Sequence, residues 1–179
     1  MKVVRNLRVT VLISVILAVS ACGFALRGSA DLPESLSSVA IEAADLDSLL
    51  VVDLQRELSA SGAKLVALNS AGASTLKIQS ETAERNVISL DQRAKVGEYE
   101  LHYRVVYAVD SADGKELLRD TPIELSRVYS FDEQQAIGAG QEEEIIRTEL
   151  RRDVVRSIMD RLQRIQDPDG ALEDRESLK

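Results

Sequence analysis

Glu98-Tyr99-Glu100-Leu101-His102-Tyr103-Arg104-Val105-Val106-Tyr107-Ala108-Val109 is the stretch on which the fold turns. Tyr99, Leu101, Tyr103, Val105, Tyr107 and Val109 recur with period two, and Glu98, Glu100, His102 and Arg104 fill the alternate places. The pattern describes a long β-strand with one face buried and the other at least half wet. Ser111-Ala112-Asp113-Gly114 follows as a turn signal leading into Leu117 and Leu118. Ile123, Leu125, Tyr129 and Phe131 then carry another strand, which Pro122 interrupts or starts. Upstream, Leu76, Ile78, Ser80 and Thr82 fit one face of a strand that continues past Val87 and Ile88. Three consecutive strands joined by short turns make an antiparallel meander.

Helices flank these strands. Val39 and Ile41 mark a first strand, after which Asp45 or Asp47 is placed to cap a helix running to about Ser61. Leu46, Leu50, Leu54 and Leu58 would form its stripe, and Gly62 sits where a left-handed C-terminal cap is expected. Near the end, Glu142, Glu143 and Glu144 suit the first turn of a long helix, where negative charge complements the dipole. Ile146, Leu150, Val154, Ile158, Leu162 and Ile165 give it one apolar stripe. The fold expected is α+β, with two helices packed on one face of a roughly four-stranded, mostly antiparallel sheet.

The N-terminus reads as an address. Lys2, Arg5 and Arg8 precede an apolar run from Val9 to Val19, and Val19-Ser20-Ala21-Cys22 follows. A basic segment, a short apolar segment and small residues before a cut make a secretory signal peptide over residues 1–21. Ser20, Gly23 and Gly28 weigh against a spanning helix there. A cysteine directly after the small residues resembles the lipobox of bacterial lipoproteins, which implies acylation of Cys22. Asp is absent from the next position, which is Gly23; by the sorting rule that accompanies the lipobox, the chain goes to the outer membrane. A domain over 22–166 and a charged, disordered tail over 167–179 complete the organisation.

Composition removes several function classes. The 179 residues carry a net charge of -8, which becomes -11 once Lys2, Arg5 and Arg8 leave with the signal peptide. With that charge and 3% aromatic residues, neither a broad phosphate-backbone contact nor a base-stacking surface is expected, so nucleic acid is not a partner. One cysteine and one histidine leave no material for a zinc cage, a disulfide framework or a His-based triad. No metal or cofactor is expected. The enzyme reading left standing, a hydrolase using Glu98 and Glu100, has no pocket to support it.

Smaller constellations have ordinary explanations. His102 lies between Glu100 and Arg104 on the wet face and reads as a surface residue. Gly138-Ala139-Gly140 reads as a flexible turn, because the glutamates after it would repel a phosphate. The arginines from Arg147 to Arg164 read as a solvated face with ladders such as Glu143 to Arg147 and Glu149 to Arg152. Asp91-Gln92-Arg93-Ala94-Lys95-Val96-Gly97 differs from these. It falls at a hairpin tip on an acidic domain, where Arg93 and Lys95, with Arg85 nearby, offer positive charge to an anionic group.

The chain is similar to the LptE family of lipopolysaccharide-assembly lipoproteins. The resemblance rests on Cys22-Gly23-Phe24-Ala25-Leu26-Arg27-Gly28 with Pro33 after it, and on Glu98-Tyr99-Glu100-Leu101. Arg127-Val128-Tyr129-Ser130-Phe131 and Glu142-Glu143-Glu144-Ile145-Ile146 continue it, in order, to about Ile165. It implies a non-enzymatic protein, lipid-anchored on the periplasmic side of the outer membrane, that plugs a large LptD-like β-barrel and assists its assembly. It also implies binding of lipopolysaccharide, with Arg93 and Lys95 in the neighbourhood of the family's basic contacts and Arg85 beside them. Where some members have a lysine before the last helix, this chain has Ala139 and Gly140. An outer-membrane lipoprotein that bridges envelope components without touching glycolipid is the competing expectation.

Overall fold

A computed structural model describes residues 32–90, 95–131 and 136–165. Five strands and two helices are present among them: β1 (Ser38–Ala43), α1 (Leu49–Ala60), β2 (Lys64–Leu65), β3 (Ser74–Leu90), β4 (Val96–Asp110), β5 (Glu116–Ser130) and α2 (Ala136–Leu162). The sheet order is β2-β1-β3-β4-β5. β1 runs parallel to β2 and β3, whereas β3, β4 and β5 form the antiparallel meander expected from the turns. The architecture is α+β as expected, with one strand more than the sequence suggested. That strand, β2, has only two residues and therefore no readable period.

One face of the sheet carries the core. Leu101, Tyr103, Val105, Tyr107 and Val109 of β4 are buried there, against Leu50, Leu54 and Leu58 of α1 and Ile146, Leu150, Val154, Ile158 and Leu162 of α2. Both stripes thus face the sheet, except at Leu46, which is 52% exposed. It precedes the helix because Ser48, rather than Asp45 or Asp47, is the N-cap; its hydroxyl accepts from the Val51 N–H at 3.3 Å. Asp45 instead accepts from the Asp47 N–H at 2.9 Å, closing a small turn. At the other end, Gly62 has φ +88, and the Gly62 and Ala63 N–H groups donate to the carbonyls of Ser59 and Leu58. That is the glycine-dependent cap the sequence indicated.

Other departures have local causes. α2 starts at Ala136, so Gly138-Ala139-Gly140 is helix and not a turn, and the three glutamates follow the first turn instead of forming it. Two glycines cost about 1 kcal/mol each in a helix, which a 27-residue helix with a long buried stripe absorbs. Pro122 lies inside β5, in register with Val106, and neither interrupts nor starts the strand. β5 is an edge strand, so a residue without an N–H can point that side outward.

The consequential departure is in β3. Its register against β4 shifts between Ile78 and Ser80, leaving Gln79 as an extra residue. Leu76 and Ile78 face the core, but Ser80 and Thr82 oppose Val106 and Arg104 on the outer face. An inserted residue reverses the parity of everything after it. Glu81, Ala83, Arg85 and Val87 are thereby turned to the helix side, opposite Val105, Tyr103, Leu101 and Tyr99.

Candidate functional site

The bulge delivers polar groups to the helix-covered face, and α2 answers them. Tyr103 donates its hydroxyl to Glu81. Burial first, and then this carboxylate, push the Tyr103 phenol far above its ordinary value. Further along β3, Arg85 meets Glu143 of α2 at 2.9 Å and lies 4.5 Å from the centre of the Tyr99 ring. Glu143 also accepts from the Tyr129 hydroxyl at 2.8 Å and from Arg147 at 2.9 Å. Burial alone would raise the Glu143 carboxyl, but the donors from Tyr129, Arg147 and Arg85 outweigh it and hold the group below its usual range. Burial pushes Tyr129 up to about 12.

Three donors on one carboxylate latch α2 to β3 and β5. Tyr99 completes the cluster, with its ring 5.1 Å from Phe131 and 5.8 Å from Tyr129. Helix-dipole reasoning gave Glu143 a different role, since its partners lie 58 and 14 residues away along the chain. Only the parity change after Gln79 would have brought Arg85 to it.

The end of the sheet past this latch is amphiphilic. Val87, Ile88 and Leu90 are 51%, 46% and 61% exposed, and Val128 is exposed one strand over. Arg85 is half exposed beside them, and Lys95 is exposed at the entry to β4. Of the residues expected at a ligand site, Arg85 and Lys95 are thus at the same end of the sheet. Arg93 and Cys22 lie outside the described residues, as do the signal peptide and the tail over 167–179. Arg85 shares its charge with Glu143 and Tyr99, which the sequence did not indicate.

The outer face of the sheet is polar. Ser80, Thr82, Glu84, Asn86, His102, Arg104 and Glu124 line a broad depression of about 500 Å³ there. His102 contacts Glu100 at 2.7 Å and Glu124 at 3.7 Å. The hydrogen bond to Glu100 raises the imidazole's pKa. The Glu98 and Glu100 carboxylates accept from the Ser89 and Ser126 hydroxyls, each at 2.8 Å, which is a structural use of both groups. Among the described residues no set of His, Cys, Asp and Glu is placed to hold a metal, and no helix is long and apolar enough to cross a membrane.

Between the helices, Arg151 donates to Asp53 at 2.9 Å with both side chains largely covered. Arg127 of β5 reaches Glu149 and Asp153, each at 3.2 Å. The ladder from Glu143 to Arg147 exists, but Glu149 pairs with Arg127 of the neighbouring strand in place of the Arg152 expected from helical spacing. The arginines of α2 fasten the helix to the rest of the fold as well as solvating it.

The family model for lipopolysaccharide assembly, LptE, matches residues 35–162, which includes every strand and both helices. This chain belongs to the LptE family. It is 24% identical over 147 residues to the LPS-assembly lipoprotein LptE of Photorhabdus laumondii subsp. laumondii, covering 82% of this chain and 80% of that protein. Its fold is similar to a lipoprotein B from Nitrosomonas europaea, with a TM-score of 0.66 and 30% identity over 79% of this chain and 90% of the other. It is also similar to rare lipoprotein B of Shewanella oneidensis, with a TM-score of 0.63 and 26% identity over 70% and 92%. LptE membership accounts for the two helices on a mixed sheet.

Proposed function

We propose that this LptE-family chain is an outer-membrane lipoprotein, anchored through acylated Cys22 on the periplasmic side, that plugs an LptD-like β-barrel and helps lipopolysaccharide reach the outer leaflet. The observation that carries the glycolipid part is the amphiphilic end of the β3–β4 hairpin. Exposed Val87, Ile88 and Leu90 lie beside Arg85 and Lys95, with Arg93 in the turn between the strands. A glycolipid with phosphates on its headgroup and acyl chains beneath presents the same two chemistries in the same order of reach. Long basic side chains meet the phosphates, and the aliphatic residues cover apolar surface.

The barrel part is supported by family membership and by the polar outer face of the sheet. Large barrels have polar lumens, and Ser80, Thr82, Asn86, His102 and Arg104 give this domain a face that needs no apolar partner. The role is assembly and transport without a chemical step, consistent with the structural engagement of Glu98 and Glu100. The test is copurification from detergent-solubilised outer membranes. The full chain should bring down a large barrel, and its depletion should lower the amount of folded barrel. Normal barrel levels with no copurification would favour a bridging lipoprotein instead.

A further inference from the structure

β1 leaves part of an edge open. Its pairing with β3 covers five positions, from Val39–Ser74 to Ala43–Ile78, but its pairing with β2 covers two, Ser38–Lys64 and Val39–Leu65. The Val66 N–H still donates to the Val39 carbonyl at 3.1 Å. Beyond that bond, the side of β1 turned toward β2 has no strand against it among the described residues. An open strand edge is a template for another strand.

Apolar surface accompanies the gap. A groove of about 230 Å³ is lined by Ile41, Ala43, Leu46, Leu65, Val66 and Leu68, among others. Leu46 and Leu68 are 52% and 46% exposed, although each could have been polar at no cost to the core. The rim is acidic: Glu42 lines the groove, and exposed Asp45 and Asp47 flank Leu46. Lys77, in register with Glu42, is engaged by Asp110 at 2.6 Å, and Lys64 lies at the other end of the short β2.

We propose that an extended segment of the barrel partner adds a strand beside Ile41–Ala43, sets an apolar side chain in this groove and places a lysine or arginine against Glu42, Asp45 and Asp47. This rests on the barrel reading above and names the surface that reading left open. Main-chain pairing supplies affinity in such strand addition, and the groove supplies selection. The acidic rim favours this occupant over an anionic membrane surface or a second copy of the same acidic chain.

The test uses the full lipidated chain with its barrel in outer membranes. A photo-crosslinking side chain at Leu68 should join one extended, basic-flanked segment of the barrel, whereas the same group at exposed Ile145 of α2 should not reach that segment. The double variant Leu46→Glu, Leu68→Glu should melt like wild type and hold the barrel about tenfold or more weakly. Cross-links from Leu68 only to lipid, to a second copy or within the chain, no cross-link, or undiminished binding by the double variant would overturn the proposal. If the complex forms while Leu68 stays silent, the added strand alone fails. If wild type forms no complex with a barrel, the plug reading fails and this inference with it.

Discussion

Asp53→Ala should destabilise the domain far more than a surface carboxylate would. Arg151 and Asp53 join the two helices at 2.9 Å, with side chains only 11% and 20% exposed. Removing Asp53 leaves a covered guanidinium without its carboxylate, and breaking a fully buried pair this way costs about 3–5 kcal/mol. Here some water reaches the pair, and alanine's better helix propensity returns roughly 0.5 kcal/mol. A net loss of about 2–3 kcal/mol follows, which for a domain of this size lowers Tm by roughly 5–10 °C. Arg151→Met should cost about 1 kcal/mol or less, because its stem still packs and Asp53 keeps Arg56 at 2.9 Å. The double variant should lie within about 1 kcal/mol of wild type, since no charge is then stranded. Urea and thermal melts of the four proteins at pH 7 measure this. Additive losses, or Asp53→Ala melting like wild type, would refute the claim that the pair is desolvated and couples the helices.

Leu150→Asp should unfold the domain or cost more than the ~2–5 kcal/mol of a cavity-forming Leu→Ala, because Leu150 is 1% exposed at the centre of the α2 stripe; circular dichroism with melting checks it. Glu143→Gln should cost about 1–2 kcal/mol at pH 7 by weakening three hydrogen bonds. The Glu143 pKa is lowered in the fold, so its contribution is complete above the ordinary value of 4.5 and is lost as pH falls through the folded value. Melts from pH 7 to 3 should therefore bring wild type and Glu143→Gln together; a gap that persists at pH 3 would refute the electrostatic account. His102 has the opposite sign. Its raised pKa stabilises the fold below the ordinary 6.5, and this is lost as pH rises through the folded value. The advantage of wild type over His102→Gln should thus shrink between pH 6 and 9, and a growing advantage would contradict the contact with Glu100.

What could be read from the sequence was whatever repeats. The alternation in β4 and the four-residue stripe of α2 each run long enough for period to identify both the element and its buried face. Gly62 was legible because its chemistry is local to one cap. Gln79 was not, because a single extra residue leaves composition and alternation intact on either side while reversing the face of all that follows. β2 is too short for a period, and the first turns of α2 contain two glycines that resemble a loop. The same limits governed the candidate site. Arg85 and Lys95 were visible as basic residues near a turn, whereas the convergence of Arg85, Tyr129 and Arg147 on Glu143 joins three elements distant along the chain. The exposed Val87, Ile88 and Leu90 had been read as strand, without the information that the helices leave this end uncovered.

The most direct test of the glycolipid claim is binding of the domain, without its lipid anchor, to lipopolysaccharide aggregates at low and physiological salt. Wild type should bind and should weaken as salt rises, since exposed charges are screened within about 8–10 Å. Arg93→Glu with Lys95→Glu should reduce affinity substantially while the melting curve is unchanged. Arg85→Gln should reduce it less, because Glu143 already shares that charge at 2.9 Å. Equal affinity of wild type and the double reversal, at either salt concentration, would contradict the account and return the hairpin tip to an ordinary solvated loop.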